Sequence, residues 1–266
     1  MIRNCEALTH LTGSCSTYTI TRQGASLAID CGTWTPAALG ETTDTRCERL
    51  LLTHFHRDQC TAAAQWMHAG VDVVIPFTEK RFFEEADILR ASYDTYDNYT
   101  AWYPGFSGLQ DITGIYARDY DTLSWRDISI EVLPLPGHTF GQSGYLFELD
   151  GTRYLACGDL LSAPGKIHEY HRLQWAYMSF QGHVNLLESL QSVRELAPDV
   201  ILPGHGEPFA FSPAAIDELT AALAELFEMF HGRPYQPYRA VFRQLSDHVF
   251  EVSNSSATTY IVRDDE

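Results

Sequence analysis

The sequence predicts a layered α/β fold, and three observations lead there. Short apolar runs with strand character recur along the chain, and several stop at a glycine or at a residue able to hold a metal. Apolar stripes at helical spacing lie between and after them. The 266 residues, 45% of them hydrophobic, are ample for one globular unit with a real core.

Taken in order, residues 16–31 read as a hairpin: Thr17-Tyr18-Thr19-Ile20, a Gln23-Gly24 turn, then Ser26 to Asp30. Leu50 to Thr53 is a buried strand, and Thr61 to Ala69 a short Ala-rich helix packed behind the segment that follows it. Val71 to Ile75 is the next strand, closed by Pro76, and Phe82, Phe83, Ala86 and Leu89 share a helical face. Residues 90–125 are rich in Tyr and Trp and show no strand periodicity, which reads as an insertion: either a lid with tyrosines facing a pocket or an aromatic satellite core. Ile128, Ile130 and Val132 alternate as a strand does. Leu146–Leu149 and Thr152–Ala156 are strands joined by Asp150-Gly151, a strong hairpin signal. Leu186, Leu187, Leu190, Val193 and Leu196 mark one amphipathic helix. Ser212-Pro213 caps and opens another, with Ile216, Leu219, Leu223, Leu226, Phe227 and Phe230 as its stripe and Gly232 at its end. This places one domain over residues 1–232. Residues 233–266 then form a C-terminal strand pair or the start of a second, related domain, because Thr258-Thr259-Tyr260-Ile261-Val262 is loosely similar to Ser16-Thr17-Tyr18-Thr19-Ile20.

The chemistry concentrates at the strand ends. Leu50-Leu51-Leu52-Thr53-His54-Phe55-His56-Arg57-Asp58-Gln59-Cys60 is an apolar run ending in two histidines and a carboxylate, each two residues apart. In an extended segment that spacing puts all three on one side. Imidazole and carboxylate together suit a borderline cation such as zinc, iron or manganese. Three further runs end in the same way: Pro136-Gly137-His138, Cys157-Gly158-Asp159 and Pro203-Gly204-His205, each with one candidate ligand beside a glycine that lets the backbone come close to an ion.

On these residues, and on Leu27 to Gly32 as an early strand ending in Asp-x-Gly, the chain resembles the metallo-β-lactamase superfamily and its glyoxalase II-like hydrolases. The resemblance covers most of residues 1–230. It implies a four-layer αββα sandwich with a metal site at one edge between two sheets. It further implies that His54, His56 and His138 hold a first ion, that Asp58 and His205 hold a second, and that Asp159 bridges them. The family motif H-x-H-x-D-H ends here in Gln59 instead of histidine. A neutral amide oxygen is a poorer zinc ligand than imidazole, so Gln59 is expected to bind weakly or not at all, leaving the second site the weaker. Cys60 could substitute as thiolate, but a buried inert thiol is the expected state. Among the other histidines, His10, His68, His168, His171, His183, His231 and His248, the two best placed to line a pocket are His168 and His171, which follow the Asp159 loop.

Composition excludes some functions. The net charge of −17 argues against a basic surface for nucleic acid and bears mainly on solubility. The six cysteines form no C-x-x-C pair and read as reduced thiols of a cytoplasmic protein. The first residues lack the apolar core of a secretory signal, and no run is long enough to cross a membrane. A divalent ion can lower the pKa of a bound water to about 7, making hydroxide available at neutral pH. The expectation is therefore a metal-dependent hydrolase acting on a small molecule with an ester-like bond: thioester, lactone, phosphoester or amide. Its cofactor is one or two divalent ions, zinc first and iron or manganese next, with Asp58 orienting the hydroxide. A mononuclear iron enzyme like a persulfide dioxygenase and a non-catalytic metal-binding module are the alternatives, and the reading admits a homo-oligomer.

Overall fold

Two six-stranded sheets stack face to face, with helices on both outer surfaces, in a computed structural model that describes residues 6–85, 112–168, 180–237, 241–253 and 259–263. The first sheet runs in sequence order: β1 (Leu8–Thr12), β2 (Ser16–Arg22), β3 (Ala25–Ile29), β4 (Arg46–Leu51), β5 (Asp72–Pro76) and β6 (Ile115–Ala117). Its first three strands are antiparallel and the rest parallel. The second sheet holds β7 (Thr122–Trp125), β8 (Ile128–Pro134), β9 (Ser143–Leu149), β10 (Thr152–Gly158), β11 (Val200–Pro203) and β12 (Phe209–Ala210), in the reverse spatial order. There only β10 and β11 run parallel.

The central strands are apolar on consecutive residues because both of their faces are covered. Leu27, Ile29, Leu51 and Val74 point between the sheets, where they meet Ile130, Val132, Tyr145, Phe147, Tyr154, Ala156 and Leu202. Their neighbours Ala28, Leu50, Leu52, Val73 and Ile75 point the other way. They pack under α1 (Pro36–Thr43), α3 (Ala63–His68) and α4 (Lys80–Glu84) through Leu39, Trp66 and Phe83, while the one-turn α2 (Arg57–Cys60) follows β4. On the far side, Leu133, Leu146, Leu155 and Ile201 meet α5 (Phe180–Leu196) and α6 (Pro213–His231) through Leu186, Leu190, Val193, Ile216, Leu223 and Phe227. These three apolar clusters separate four layers, the αββα order expected from the sequence.

The Ser212 hydroxyl accepts from Ala215 N–H at the start of α6, and Gly232, at φ 67°, closes it in the left-handed conformation. The expected hairpins of residues 16–31 and 146–156 are present in full.

One sequence expectation is corrected. The stretch 90–125 shows no strand periodicity, yet Ile115–Ala117 and Thr122–Trp125 are the outer strands β6 and β7 of the two sheets. They are short edge strands, with Ile115 and Tyr116 exposed on β6, so alternation is too brief to register as a period. Residues 86–111, which hold the rest of the aromatic stretch, lie outside the described residues.

β13 (Val241–Gln244), β14 (Val249–Ser253) and β15 (Thr259–Val262) form an antiparallel sheet of their own. In the β14–β15 hairpin Val252 faces Thr259 and Glu251 faces Tyr260; in the first hairpin Leu11 faces Thr17 and His10 faces Tyr18. The two hairpins differ in their offset, since Tyr18 pairs with His10 and Tyr260 with Glu251 across a longer connection. No helix among the described residues is long and apolar enough to cross a membrane.

Candidate metal centre

The six imidazole and carboxylate candidates come from the ends of strands in both sheets and converge at one edge of the sandwich. His54, His56 and Asp58 follow β4, His138 follows β8, Asp159 follows β10 and His205 follows β11. Backbone bonds fix the ends against each other: Ser143 N–H donates to Thr53 O, Ser16 N–H to Gly204 O, and Gly204 N–H to Gly158 O. Two tyrosines cross between the sheets just below, Tyr18 donating to Pro203 O and Tyr145 to Leu52 O.

Asp159 is the hub. Its Oδ2 lies 3.2 Å from His138 Nε2, 3.5 Å from His205 Nε2 and 3.7 Å from His54 Nε2. His56 Nδ1 lies 2.7 Å from His138 Nε2. One ligating atom each from His54, His56, His138 and Asp159 falls within a 4.8 Å span. Two bonds of about 2.0–2.1 Å at a tetrahedral angle place donor atoms about 3.3 Å apart, so this set needs only small adjustment to close on an ion. His54 Nε2 is buried with no hydrogen-bond partner, a costly state unless its lone pair serves a cation. The donor set and this buried nitrogen both fit a divalent metal.

The protonation states suit the same task. Burial pushes His54 and His138 well below the ordinary imidazole value and His56 to about 4, so all three rings are neutral at pH 7 with lone pairs to offer. Burial also raises Asp159 to about 8, against the opposing charge of His205. Burial works to raise Asp58 as well, but its hydrogen bond from His205 and the nearby imidazoles outweigh it and hold the carboxyl well below its usual range. His205 is raised, because Asp58 at 3.1 Å and the Asp159 charge outweigh its partial burial.

Gln59 reaches the centre, but not as expected of a ligand. Its Nε2 faces inward, donating to Asp159 Oδ1 at 2.8 Å and lying 3.2 Å from His205 Nε2. The amide carbonyl is buried without a hydrogen-bond partner. Gly204 packs against Asp159 so closely that a Cβ there would meet Oδ1 at 2.2 Å. Asp159 Oδ1 is thus held by the protein, and Oδ2 is the atom presented to the imidazoles. Cys60 is buried, its thiol directed at Phe55 O and its pKa raised by burial, so it stands apart from the cluster. Of the six cysteines, the five described are free.

Several supporting residues escaped the sequence reading. Thr53 N–H and Oγ1 both donate to the buried Asp30 carboxylate at 2.8 Å, and Thr53 Oγ1 lies 3.0 Å from His54 Nδ1. With its one proton committed to Asp30, the hydroxyl can only accept from His54 Nδ1–H, which leaves Nε2 unprotonated toward the site. Glu79 accepts from Phe55 N–H, Gly141 N–H and the Thr139 hydroxyl, joining the two histidine loops through one buried carboxylate. Gln142 accepts from Asp159 N–H and donates to Leu135 O and Cys157 O. The available signal for Glu79 was a carboxylate three residues after an apolar strand. His168, one of the two histidines expected to line the pocket, lies at the centre, stacked on His205 with ring centroids 4.0 Å apart. His171 lies outside the described residues.

Fold and centre together define a class of metal-binding αββα sandwich, and comparison with known proteins places the chain within it. Residues 11–205 match the family model of the metallo-beta-lactamase superfamily, and the chain belongs to that superfamily. Over 122 residues it is 26% identical to a hydroxyacylglutathione hydrolase of Aeromonas salmonicida (strain A449), a match spanning 46% of this chain and 36% of that protein's length. Among solved structures, a metallo-beta-lactamase family protein of Thermus thermophilus superposes with a TM-score of 0.65 at 21% identity, covering 82% of this chain and 79% of the other. A Cronobacter sakazakii metallo-beta-lactamase described by its HARLDQ motif gives 0.59 at 16%, covering 85% and 95%. A class B3 di-zinc metallo-beta-lactamase from an Alaskan soil metagenome gives 0.56 at 16%, covering 84% and 91%.

Proposed function

We propose that the protein is a metal-dependent hydrolase of small molecules bearing an ester-like bond, with zinc as its ion. The observation that carries this reading is the set of three neutral imidazoles around Asp159 Oδ2, with His54 Nε2 buried and unsatisfied. Neutral imidazole with carboxylate is a zinc donor set. When bound, the ion supplies Lewis acidity and acidifies a water to a pKa of about 7.

The chain's own groups do the rest. Asp58, ionised and held by His205, is the acceptor that orients a water proton. Thr53 and Asp30 keep the His54 lone pair aimed at the centre. Phe140, half exposed two residues after His138, and the stacked Phe55 and Phe82 offer apolar surface beside it for the non-reacting part of a substrate.

Two relatives inform the details. His54 to Gln59 reads H-F-H-R-D-Q and shares its first, fifth and sixth letters with the HARLDQ motif of the Cronobacter lactamase. The Aeromonas relative is a hydroxyacylglutathione hydrolase, so hydroxyacyl thioesters of glutathione head the substrate panel.

The test is hydrolysis of thioesters, lactones, phosphoesters and amides by protein purified without chelator, alongside its metal content. The expected result is turnover of one class that is lost with chelator, restored by zinc and abolished in His138→Ala. Metal-loaded protein inert toward all four classes would overturn the reading.

A further inference from the structure

We propose that His168 is a ligand of a second metal ion, supplying from another loop the imidazole that Gln59 does not. This rests on the metal-dependent reading of the centre above.

The ligating atoms of Asp159, His168 and His205 lie within 4.8 Å of one another, a grouping distinct from the His54, His56, His138 and Asp159 set but sharing Asp159 with it. Asp58 Oδ2 joins it through His205 Nε2 at 3.1 Å, while His205 Nε2 lies 3.5 Å from Asp159 Oδ2. Those two spacings bracket the separation of about 3.3 Å that tetrahedral zinc imposes. Asp58, Asp159, His168 and His205 together make two carboxylates and two imidazoles. That set balances a divalent charge, and it equals the number and kind of donors that a histidine at position 59 would have completed.

His168 is held there by a built turn. Lys166 N–H donates to Ala163 O, Ser162 N–H to Lys166 O and the Ser162 hydroxyl to Ile167 O, with Gly165 at φ 68°. The turn is seated on the His205 loop: a Cβ at Gly206, itself at φ 101°, would meet Ser162 O at 2.4 Å. The chain is thereby returned over His205, and the two rings stack at 4.0 Å with 10° between their planes.

Gln59 then has a different task. By donating to Asp159 Oδ1 it leaves Oδ2 as the single oxygen shared between the two groups of donors.

The experiment is a zinc titration of metal-stripped protein, with bound ions counted by plasma mass spectrometry and the same series read by visible absorption with cobalt. Wild type is expected to take two equivalents. His168→Ala should keep the first with unchanged affinity, which also reports that it is folded, and lose the second by more than about 100-fold, beyond what loss of an outer partner causes. Added imidazole should restore the second equivalent to His168→Gly. Two equivalents of unchanged affinity in His168→Ala, or only one in wild type, would overturn the role of His168 and leave the hydrolase reading standing. A wild type that takes no ion at all would instead remove the reading on which it rests.

Discussion

Thr53 has a single proton to give, and Asp30 takes it. That arithmetic sets the tautomer of His54 and makes an inconspicuous threonine part of the candidate metal centre. Replacing Thr53 with valine, similar in shape, leaves a buried carboxylate oxygen short of a donor and His54 Nδ1 without its acceptor. Expected is a loss of about 1–3 kcal/mol of stability by chemical denaturation, together with a 10- to 100-fold weaker first metal equivalent. Unchanged metal affinity in the folded variant would count against the orienting role. Glu79 makes a separate prediction. Burial raises its pKa to about 7 from an ordinary 4.5, although three hydrogen bonds pull the other way. Between those values the folded state holds a proton that the unfolded chain has released, so folding stability falls as pH rises from 4.5 to 7 and levels off above. Glu79→Gln cannot titrate. In chelator, wild type should therefore lose up to about 3 kcal/mol relative to the variant across that window. Parallel stability curves would refute the assignment.

The central strands of this protein are legible one by one because they are buried on both faces. Leu50, Leu51 and Leu52 read as a plain apolar run, yet Leu51 serves the inter-sheet core while its neighbours serve the layer under the helices. The run tells that a strand is buried; only the packing tells which residue serves which core. Helices α5 and α6 are equally clear, since a stripe of leucines at 3.6 spacing is the direct mark of a helix with one buried face. The edge strands β6 and β7 are illegible because three or four half-exposed residues carry too little pattern. The joint between a ligand loop and a helix is set by Gly137. It sits at φ 142°, and a Cβ there would lie 2.9 Å from the Leu186 backbone of α5. Gly137→Ala should push the His138 loop off α5, at a cost of about 1–3 kcal/mol from backbone strain. It should also reduce metal affinity, measured by the same titration. A fully stable variant with native affinity would show that the contact relaxes freely.

At the scale of the molecule, the centre is a staple between the sheets. His54, His56 and Asp58 belong to the first sheet, and His138, Asp159 and His205 to the second, so an ion held among them binds the folded state and not the unfolded chain. Free zinc at about 100 times its dissociation constant should add about 2.7 kcal/mol to unfolding. Stripping the metal should correspondingly lower the melting temperature. A melting temperature indifferent to chelator would mean that the sheets are held without the centre. The sequence by itself determined the layered α/β class, the buried strands and the residue types at their ends, because hydrophobic period and ligand chemistry are local properties of the chain. Tertiary structure alone decided that Gln59 turns its N–H inward to Asp159, that Thr53, Asp30, Glu79 and Gln142 fix the ligands, and that His168 returns over His205. Those are contacts between residues far apart in the chain, set by how the two sheets and their loops close on one edge, and no local pattern encodes them.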